Sequence, residues 1–166
     1  MKGFVILNTE IFKKAEQAVA LLKEKNLKIA TAESCTGGMV ASYITSVSGV
    51  SKVFELGITS YTNEIKNKFL KVDSNILETY GAVSSQTAKQ MAQNIRLLSG
   101  ADIGVSVTGV AGPDGQEGHP PGMVFVAISH KDSTIVKQLN IDPKSRNFVR
   151  EQTVINLFDL IIEHLK

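Results

Sequence analysis

The 166-residue sequence contains little of what several classes of protein require. Its single cysteine, Cys35, cannot form an internal disulfide. No run approaches the ~20 apolar residues of a transmembrane helix, and the apolar stretch 4–7 is too short for the hydrophobic part of a secretory signal. We therefore expect a cytoplasmic protein without a membrane partner.

The sequence also lacks a large excess of charge of one sign, because 18 Lys and Arg oppose 16 Asp and Glu, which leaves a net charge of +2. This balance excludes a broad basic surface for the phosphate backbone of nucleic acids, so no nucleic-acid partner is expected. The three histidines, His119, His130 and His164, are not spaced like metal ligands and are predicted to lie on the surface. We predict neither a metal nor another cofactor.

Helical and strand-like segments alternate along the chain, without an internal linker. Three of the predicted helices cover 9–25, 38–47 and 74–80, and a fourth follows an N-cap at Thr62. A longer helix runs from Ser84 or Ser85 to Leu98, whose side chain is expected to face inward. Pro143 opens the last helix, and its apolar stripe includes Phe148. The predicted strands cover 28–32, 53–61, 102–108, 123–129 and 134–140.

The last two strands are joined by the short polar turn 130–133, so they must be antiparallel. Helices that alternate with strands indicate helical layers on both faces of a sheet. The sequence therefore predicts one α/β domain over residues 1–166. We expect a three-layer α/β/α sandwich with a mixed, mostly parallel sheet of about five strands, one of them antiparallel.

A polar motif, TAESCTGG, stands between a predicted strand and a predicted helix. Open α/β sheets bind ligands at the carboxyl ends of their strands, where helix N-termini present unpaired N–H groups. Ser34 is a candidate nucleophile there, and the N–H groups around Thr36, Gly37 and Gly38 are candidate donors to an oxyanion or a phosphate. The alternative is that Ser34 or Thr36 only caps the helix.

Cys35, next to Ser34, has two interpretations. A helix N-terminus can lower the pKa of a thiol and make it a nucleophile. A lone cysteine can equally be a small buried hydrophobic residue.

The base for Ser34 must come from elsewhere in the chain, because the motif contains neither Ser-x-x-Lys nor Gly-x-Ser-x-Gly. Lys66 is the candidate, since an N-cap at Thr62 places it near the end of a first helical turn, where the helix dipole and burial both disfavour an ammonium. Tyr61 is a candidate to relay or orient the proton. The alternative is a solvated Lys66 and a packed Tyr61.

Residues 109–122, GVAGPDGQEGHPPG, form a long segment without predicted secondary structure. Such loops are uncommon in compact domains, and glycine-rich backbone can approach a ligand closely or form an anion-binding nest. The loop is therefore a candidate for binding. A flexible surface hairpin is the alternative.

Four segments taken in order, TAESCTGG, VSGVSKVFELGITSYTNEIK, GAVS and SVTGVAGPDG, resemble the successive motifs of the CinA C-terminal domain family, the nicotinamide-nucleotide amidases also called PncC. The resemblance extends from the first predicted helix to the last. It implies an α/β/α sandwich that hydrolyses the carboxamide of nicotinamide mononucleotide to nicotinic acid mononucleotide and ammonia. It also implies a catalytic set, which falls on Ser34, Tyr61 and Lys66. Many relatives carry an extra N-terminal domain, and this chain resembles the stand-alone form.

The substrate implied by the resemblance is a small-molecule nucleotide whose phosphate needs an anchor. We expect Thr108, Gly109 and Gly112 of the glycine-rich loop to provide it. Arg146 is a further candidate, with a solvent-facing side chain as the alternative. Relatives tend to have Lys-Pro-Val-Gly where this chain has His119-Pro-Pro-Gly, so a phosphate contact by His119 would be weaker and pH-dependent.

Two functional classes stay open at this level. One is the amidase, and the other is a non-catalytic nucleotide-binding or regulatory domain. The joint presence of Ser34, Tyr61 and Lys66 favours the enzyme. A homo-oligomer is expected, but no sequence feature defines its size.

Overall fold

The computed structural model describes residues 8–131 and 133–166. The apolar stretch 4–7 and Asp132 of the predicted turn lie outside these residues. The α-helices in this part of the chain are α1 (Thr9–Glu24), α2 (Met39–Thr45), α3 (Asn63–Leu70), α4 (Ser74–Tyr80), α5 (Ser85–Ser99) and α6 (Arg146–Leu165). The strands are β1 (Ile29–Glu33), β2 (Phe54–Thr59), β3 (Ile103–Gly109), β4 (Met123–His130) and β5 (Ser133–Asn140).

These strands form one sheet in the order β2-β1-β3-β4-β5. β1 pairs in parallel with both β2 and β3, with Glu33 opposite Thr59 and Val107. β4 is antiparallel to both β3 and β5. Among these strands, β4 therefore runs against the other four, and the predicted mixed sheet with one antiparallel strand is confirmed.

Helices cover both faces of the sheet. Side chains alternate along β1, so that Ile29 packs in one core cluster with Val19 of α1 and Phe158 of α6, whereas Ala30 packs in another with Met91 of α5. All five side chains are buried. The predicted three-layer sandwich is confirmed. Within the described residues, no helix combines the length and apolar character needed to span a membrane.

Some element boundaries and core assignments differ from the prediction. The last helix begins at Arg146 rather than at Pro143, because Ser145 Oγ accepts the N–H of Phe148 at 3.1 Å and so caps it. The side chain of Phe148 is only partly buried. Leu98, in the last turn of α5, is 48% exposed rather than inward-facing.

The predicted second strand was also too long at both ends. A 3₁₀ helix, Val50–Lys52, precedes β2, and β2 ends at Thr59. Tyr61 therefore lies in the connection between β2 and α3, and not in the strand.

The chain leaves β1 and β2 toward opposite faces of the sheet. After β1 it enters α2, which packs with α1 and α6, and after β2 it enters α3, which packs with α5. Such a divergence beside the carboxyl ends of parallel strands opens a crevice where α/β proteins bind ligands. The loop 110–122, which follows β3, lies at the same end of the sheet.

Candidate active site

The turn after β1 is organised by the carboxylate of Glu33, the last residue of the strand. Its Oε2 accepts the Thr36 hydroxyl at 2.7 Å and the N–H groups of Gly38 and Val40, each at 3.0 Å. Its Oε1 accepts the N–H of Ala41 at 2.9 Å. A buried carboxylate therefore occupies the positive N-terminus of α2. We did not single out Glu33 from the sequence, although an acidic residue directly before a helix N-terminus was a usable signal.

Gly37 and Gly38 allow the sharp turn, because their φ angles are +60° and +92°. The N–H of Gly37 donates to the Ser34 carbonyl at 3.0 Å, and that of Gly38 donates to Glu33. These bonds leave neither N–H available for the predicted oxyanion or phosphate. Thr36, Gly37 and Gly38 also do not line the cavity that Ser34 faces.

Ser34 and Lys66 meet in the crevice although they lie 32 positions apart in the chain. Lys66 Nζ is 3.1 Å from Ser34 Oγ and donates to the Ser60 carbonyl at 2.9 Å. Lys66 is 1% exposed, and this burial lowers its pKa from 10.5 to about 8, against smaller opposite effects of Cys35 and Glu117. A neutral amine is therefore accessible near neutral pH.

Helix α3 carries Lys66 into the protein. Thr62 caps this helix as predicted, because its Oγ1 accepts the N–H of Ile65 at 3.3 Å. Lys66 and Leu70 form its buried face. The alternative interpretation of Lys66 as a solvated surface residue is therefore wrong.

Tyr61 contacts Arg146. Arg146 Nη2 donates to the Tyr61 hydroxyl at 2.6 Å, and Nη1 donates to the Gly112 carbonyl at 2.7 Å. The side chain of Tyr61 is exposed, and its hydroxyl oxygen is engaged with a guanidinium rather than with Ser34 or Lys66. This arrangement does not prepare Tyr61 to relay a proton between them.

A cavity of about 540 Å³ connects these groups, a volume in the usual range for small-molecule sites. Most of the predicted site residues line it, namely Ser34, Tyr61, Lys66, Thr108, Gly109, Gly112 and Arg146. The hydroxyl of Thr108 donates to the Ala82 carbonyl at 2.7 Å and thereby ties the end of β3 to the segment before α5.

His119 does not line this cavity. It closes a tight hairpin with Gln116, whose carbonyl accepts the His119 N–H at 2.9 Å and whose N–H donates back at 3.1 Å. The position of His119 therefore gives no support to a phosphate contact in this arrangement.

Two carboxylates that we did not single out from the sequence, Asp114 and Glu117, also line the cavity. Glu117 Oε2 accepts the N–H of Val83 at 3.2 Å. Together with Lys66 and Arg146, these residues give the cavity wall groups of both signs.

Cys35 lines the same cavity, but its side chain is buried. Burial raises the pKa of its thiol to about 12. The structure therefore favours the buried hydrophobic interpretation of Cys35 over the activated thiolate.

His119, His130 and His164 all belong to the part of the chain that the structure describes. Within 8–131 and 133–166, no three or more His, Cys, Asp or Glu side chains are grouped so that they could hold a metal ion. His130 and His164 contact each other, with Nδ1 and Nε2 2.9 Å apart, at the end of β4 that pairs with the start of β3. The cavity lies at the other end of these strands.

Comparison with known proteins places the chain in a family. The model of the CinA C-terminal domain matches residues 11–165. This chain belongs to the CinA C-terminal domain family. Its relatives include proteins named competence-damage inducible from Acetivibrio thermocellus, 48% identical over 145 residues, and from Thermoanaerobacter pseudethanolicus, 46% identical over 151 residues.

These alignments cover 87% and 90% of this CinA domain but only 35% and 36% of the two relatives. The chain thus spans about a third of the length of the curated relatives that it matches.

Solved structures of similar length share the fold. A CinA superfamily protein from Klebsiella pneumoniae superimposes with a TM-score of 0.91 at 27% identity, covering 93% of this chain and 97% of that one. The competence/damage inducible protein CihA from Agrobacterium tumefaciens gives a TM-score of 0.89 at 35% identity, with coverages of 93% and 94%.

In this CinA domain, the cavity combines groups suited to acyl transfer. Ser34 supplies a hydroxyl, and Lys66 supplies an amine of lowered pKa within hydrogen-bond distance of it. Arg146 supplies a positive charge that, among the described residues, forms no salt bridge. The site can therefore activate a nucleophile at one point and hold an anion at another.

Proposed function

We propose that this CinA domain is a nicotinamide-nucleotide amidase, which hydrolyses the carboxamide of nicotinamide mononucleotide to nicotinic acid mononucleotide and ammonia. The observation that carries the proposal is the 3.1 Å contact between Ser34 Oγ and Lys66 Nζ inside the cavity. A serine beside a buried amine whose pKa is lowered to about 8 is a combination that supports nucleophilic catalysis without histidine. The chain belongs to the CinA C-terminal domain family, whose resemblance to the motifs of this sequence implies this reaction.

In the first half of the reaction, the neutral amine of Lys66 accepts the proton of Ser34 while Oγ attacks the carboxamide carbon. The resulting tetrahedral intermediate collapses when the C–N bond breaks. The ammonium of Lys66 returns the proton to the departing nitrogen, which leaves as ammonia, and an acyl ester of Ser34 results.

In the second half, Lys66 is neutral again and accepts a proton from water, whose oxygen attacks the ester carbon. The Ser34 oxygen leaves and takes the proton back from Lys66. Nicotinic acid mononucleotide is released as a carboxylate after its carboxyl proton passes to solvent. In this scheme Lys66 is the immediate proton acceptor, and Tyr61 acts through its hydrogen bond to Arg146.

The oxyanion of the intermediate needs donors other than Gly37 and Gly38, whose N–H groups are already bonded. We assign this role to the N–H of Cys35, because the residue after a nucleophile commonly supplies such a donor. Among the described residues, no main-chain carbonyl accepts a hydrogen bond from this N–H, which interacts with the thiol of Cys35 itself.

The phosphate is assigned to the Arg146 end of the cavity. Arg146 is held in place by bonds to Tyr61 and Gly112, two partners without full charge, so its own charge is available to an anion. Thr108, Gly109 and Gly112 line the wall beside it. The glycine-rich loop thus contributes shape and position, and Arg146 contributes the charge.

The test is release of ammonia from nicotinamide mononucleotide by the purified chain and by Ser34→Ala. Wild type should release ammonia, and Ser34→Ala should lose at least about a thousandfold in kcat while retaining nucleotide affinity. Ser51→Ala, at an exposed serine of the 3₁₀ helix, is the matched control. If wild type binds the nucleotide without releasing ammonia, the chain is a binding domain and the proposal is wrong. If Ser34→Ala keeps more than about a tenth of the activity, Ser34 is not the nucleophile.

A further inference from the structure

The carboxylate of Glu117 is held in a defined position, although Glu117 belongs to an exposed loop. The Val83 N–H donates to its Oε2 at 3.2 Å. Gly81 packs so closely against the same oxygen that a Cβ at this position would lie 2.6 Å from it. The segment GAVS, residues 81–84, therefore holds this carboxylate at the cavity wall through Gly81 and Val83, and we call these two residues its seat. The proposed mechanism does not otherwise use the segment.

The protein uses only part of the hydrogen-bonding capacity of this carboxylate. Among the described residues, Oε2 accepts one main-chain hydrogen bond, and Oε1 accepts none. Glu117 also forms no salt bridge within this part of the chain. A seated carboxylate that lines a cavity without a paired cation is available to a positively charged part of a ligand.

The field of Glu117 reaches the reactive end of the cavity. Its charge acts on Lys66, where it opposes part of the effect of burial on the pKa. The guanidinium of Arg146 lines the same cavity and contacts Gly112 of the glycine-rich loop. The cavity therefore presents two carboxylates, Glu117 and Asp114, and two basic groups, Arg146 and Lys66, around the serine.

Nicotinamide mononucleotide has a matching distribution of charge. Its pyridinium ring, which bears the carboxamide, is positive, and its phosphate is negative. If Ser34 attacks the carboxamide, the ring lies at the reactive end, within reach of the field that Glu117 exerts on Lys66. If Arg146 holds the phosphate, the two charges of the ligand meet opposite charges of the protein.

We propose that Glu117 determines specificity for a cationic ring, so that the site prefers the oxidised pyridinium nucleotide to its reduced, uncharged dihydropyridine form. This inference rests on the proposed function for the identity of the ligand. It adds the chemical feature by which the ligand is selected. A purely structural role for Glu117, anchoring the loop to Val83, would produce no preference that depends on ring charge.

The test compares two probes, nicotinamide mononucleotide and reduced nicotinamide mononucleotide. They share the carboxamide, the ribose and the phosphate and differ in the charge of the ring. Dissociation constants are measured for both by calorimetry with Ser34→Ala and with the double variant Ser34→Ala, Glu117→Gln. Binding to an inactive background separates recognition from the unequal chemical reactivity of the two amides.

The Ser34→Ala protein should bind the oxidised nucleotide about tenfold more tightly than the reduced one, the size of effect expected of one ion pair in a partly solvated site. Glu117→Gln should reduce this ratio to near one by weakening the oxidised ligand alone. Glutamine can still accept the Val83 N–H, so the loop anchor is preserved. Glu78→Gln, an exposed residue of α4 outside the cavity, changes net charge equally and should leave the ratio unchanged.

The outcomes separate this inference from the proposed function. If wild type releases ammonia but the ratio is near one before Glu117 is changed, or survives Glu117→Gln, the inference is wrong and the amidase stands. If Asp114→Asn removes the preference and Glu117→Gln does not, the assignment to Glu117 is wrong. If neither nucleotide binds and no ammonia is released, the proposed function fails and the inference fails with it.

Discussion

Replacing Lys66 by methionine should stabilise the folded protein at pH 7 while abolishing activity. Lys66 is 1% exposed and, among the described residues, forms no salt bridge, so its ammonium is buried without a counter-charge in direct contact. The lowering of its pKa from 10.5 to about 8 corresponds to a cost of about 3 kcal/mol at pH 7. The methionine variant loses the hydrogen bonds to Ser34 and Ser60, which destabilises it by about 1 to 2 kcal/mol and offsets part of the gain. The expected net gain is about 1 to 2 kcal/mol.

The pH dependence gives this prediction a definite sign. Because the folded-state pKa of Lys66 is lowered, the unfolded chain binds more protons between pH 8 and 10.5, and wild-type stability rises with pH through that window. The methionine variant lacks this rise, so its advantage should shrink by about 2 kcal/mol between pH 7 and pH 10 and vanish or reverse. Urea denaturation at both pH values measures the difference.

Lys68→Met, at an exposed lysine of the same helix, is the control and should change stability by less than about 0.5 kcal/mol at either pH. A Lys66→Met protein that is less stable than wild type at pH 7, or whose difference from wild type is the same at both pH values, would refute the account of Lys66 as a desolvated cation.

Two further predictions concern the proton acceptor Lys66 and the neighbouring thiol of Cys35. The kcat/KM of the amidase should fall as pH decreases below about 8, by about tenfold per pH unit, because the neutral form of Lys66 is the base. Lys66→Arg should be inactive, because its guanidinium cannot lose a proton at ordinary pH. If this variant kept most of kcat and the same loss of activity at low pH, Lys66 would act through its charge and not as a base. Cys35, whose pKa is raised to about 12 by burial, should not react with a thiol-specific disulfide reagent at pH 8 until urea unfolds the protein, and rapid stoichiometric labelling of the native protein would contradict this.

The fold was readable from the sequence because periodicity and cap residues are local signals. Thr62 and Ser84 cap the helices that were predicted to follow them. The errors at element ends also have local causes. The first strand was predicted to stop at Ala32, yet Glu33 continues β1, since the N-terminus of α2 satisfies its carboxylate. Such compensation comes from the turn and helix that directly follow the strand, and it has no periodic signature.

The site could be predicted only in part, because some of its contacts join residues that are distant in the sequence. The sequence predicts Ser34 at a strand end and Lys66 at a helix N-terminus, and both positions follow from local pattern. Their contact joins residues 32 positions apart and depends on the order of β1 and β2 in the sheet. Glu117 was missed for the same reason, because its seat at Gly81 and Val83 comes from a different part of the chain.

Two buried charges flank Ser34, and their surroundings differ in a way that bears on mechanism. Glu33 accepts four hydrogen bonds from α2 and the turn before it. Lys66 has two oxygen neighbours, a hydroxyl and a main-chain carbonyl, and neither bears a full charge. A protein that needed only a fixed cation here would have paired it, since an unpaired buried ammonium is costly. We infer that Glu33 is placed to hold the geometry of the serine turn, whereas Lys66 is placed so that its proton can leave.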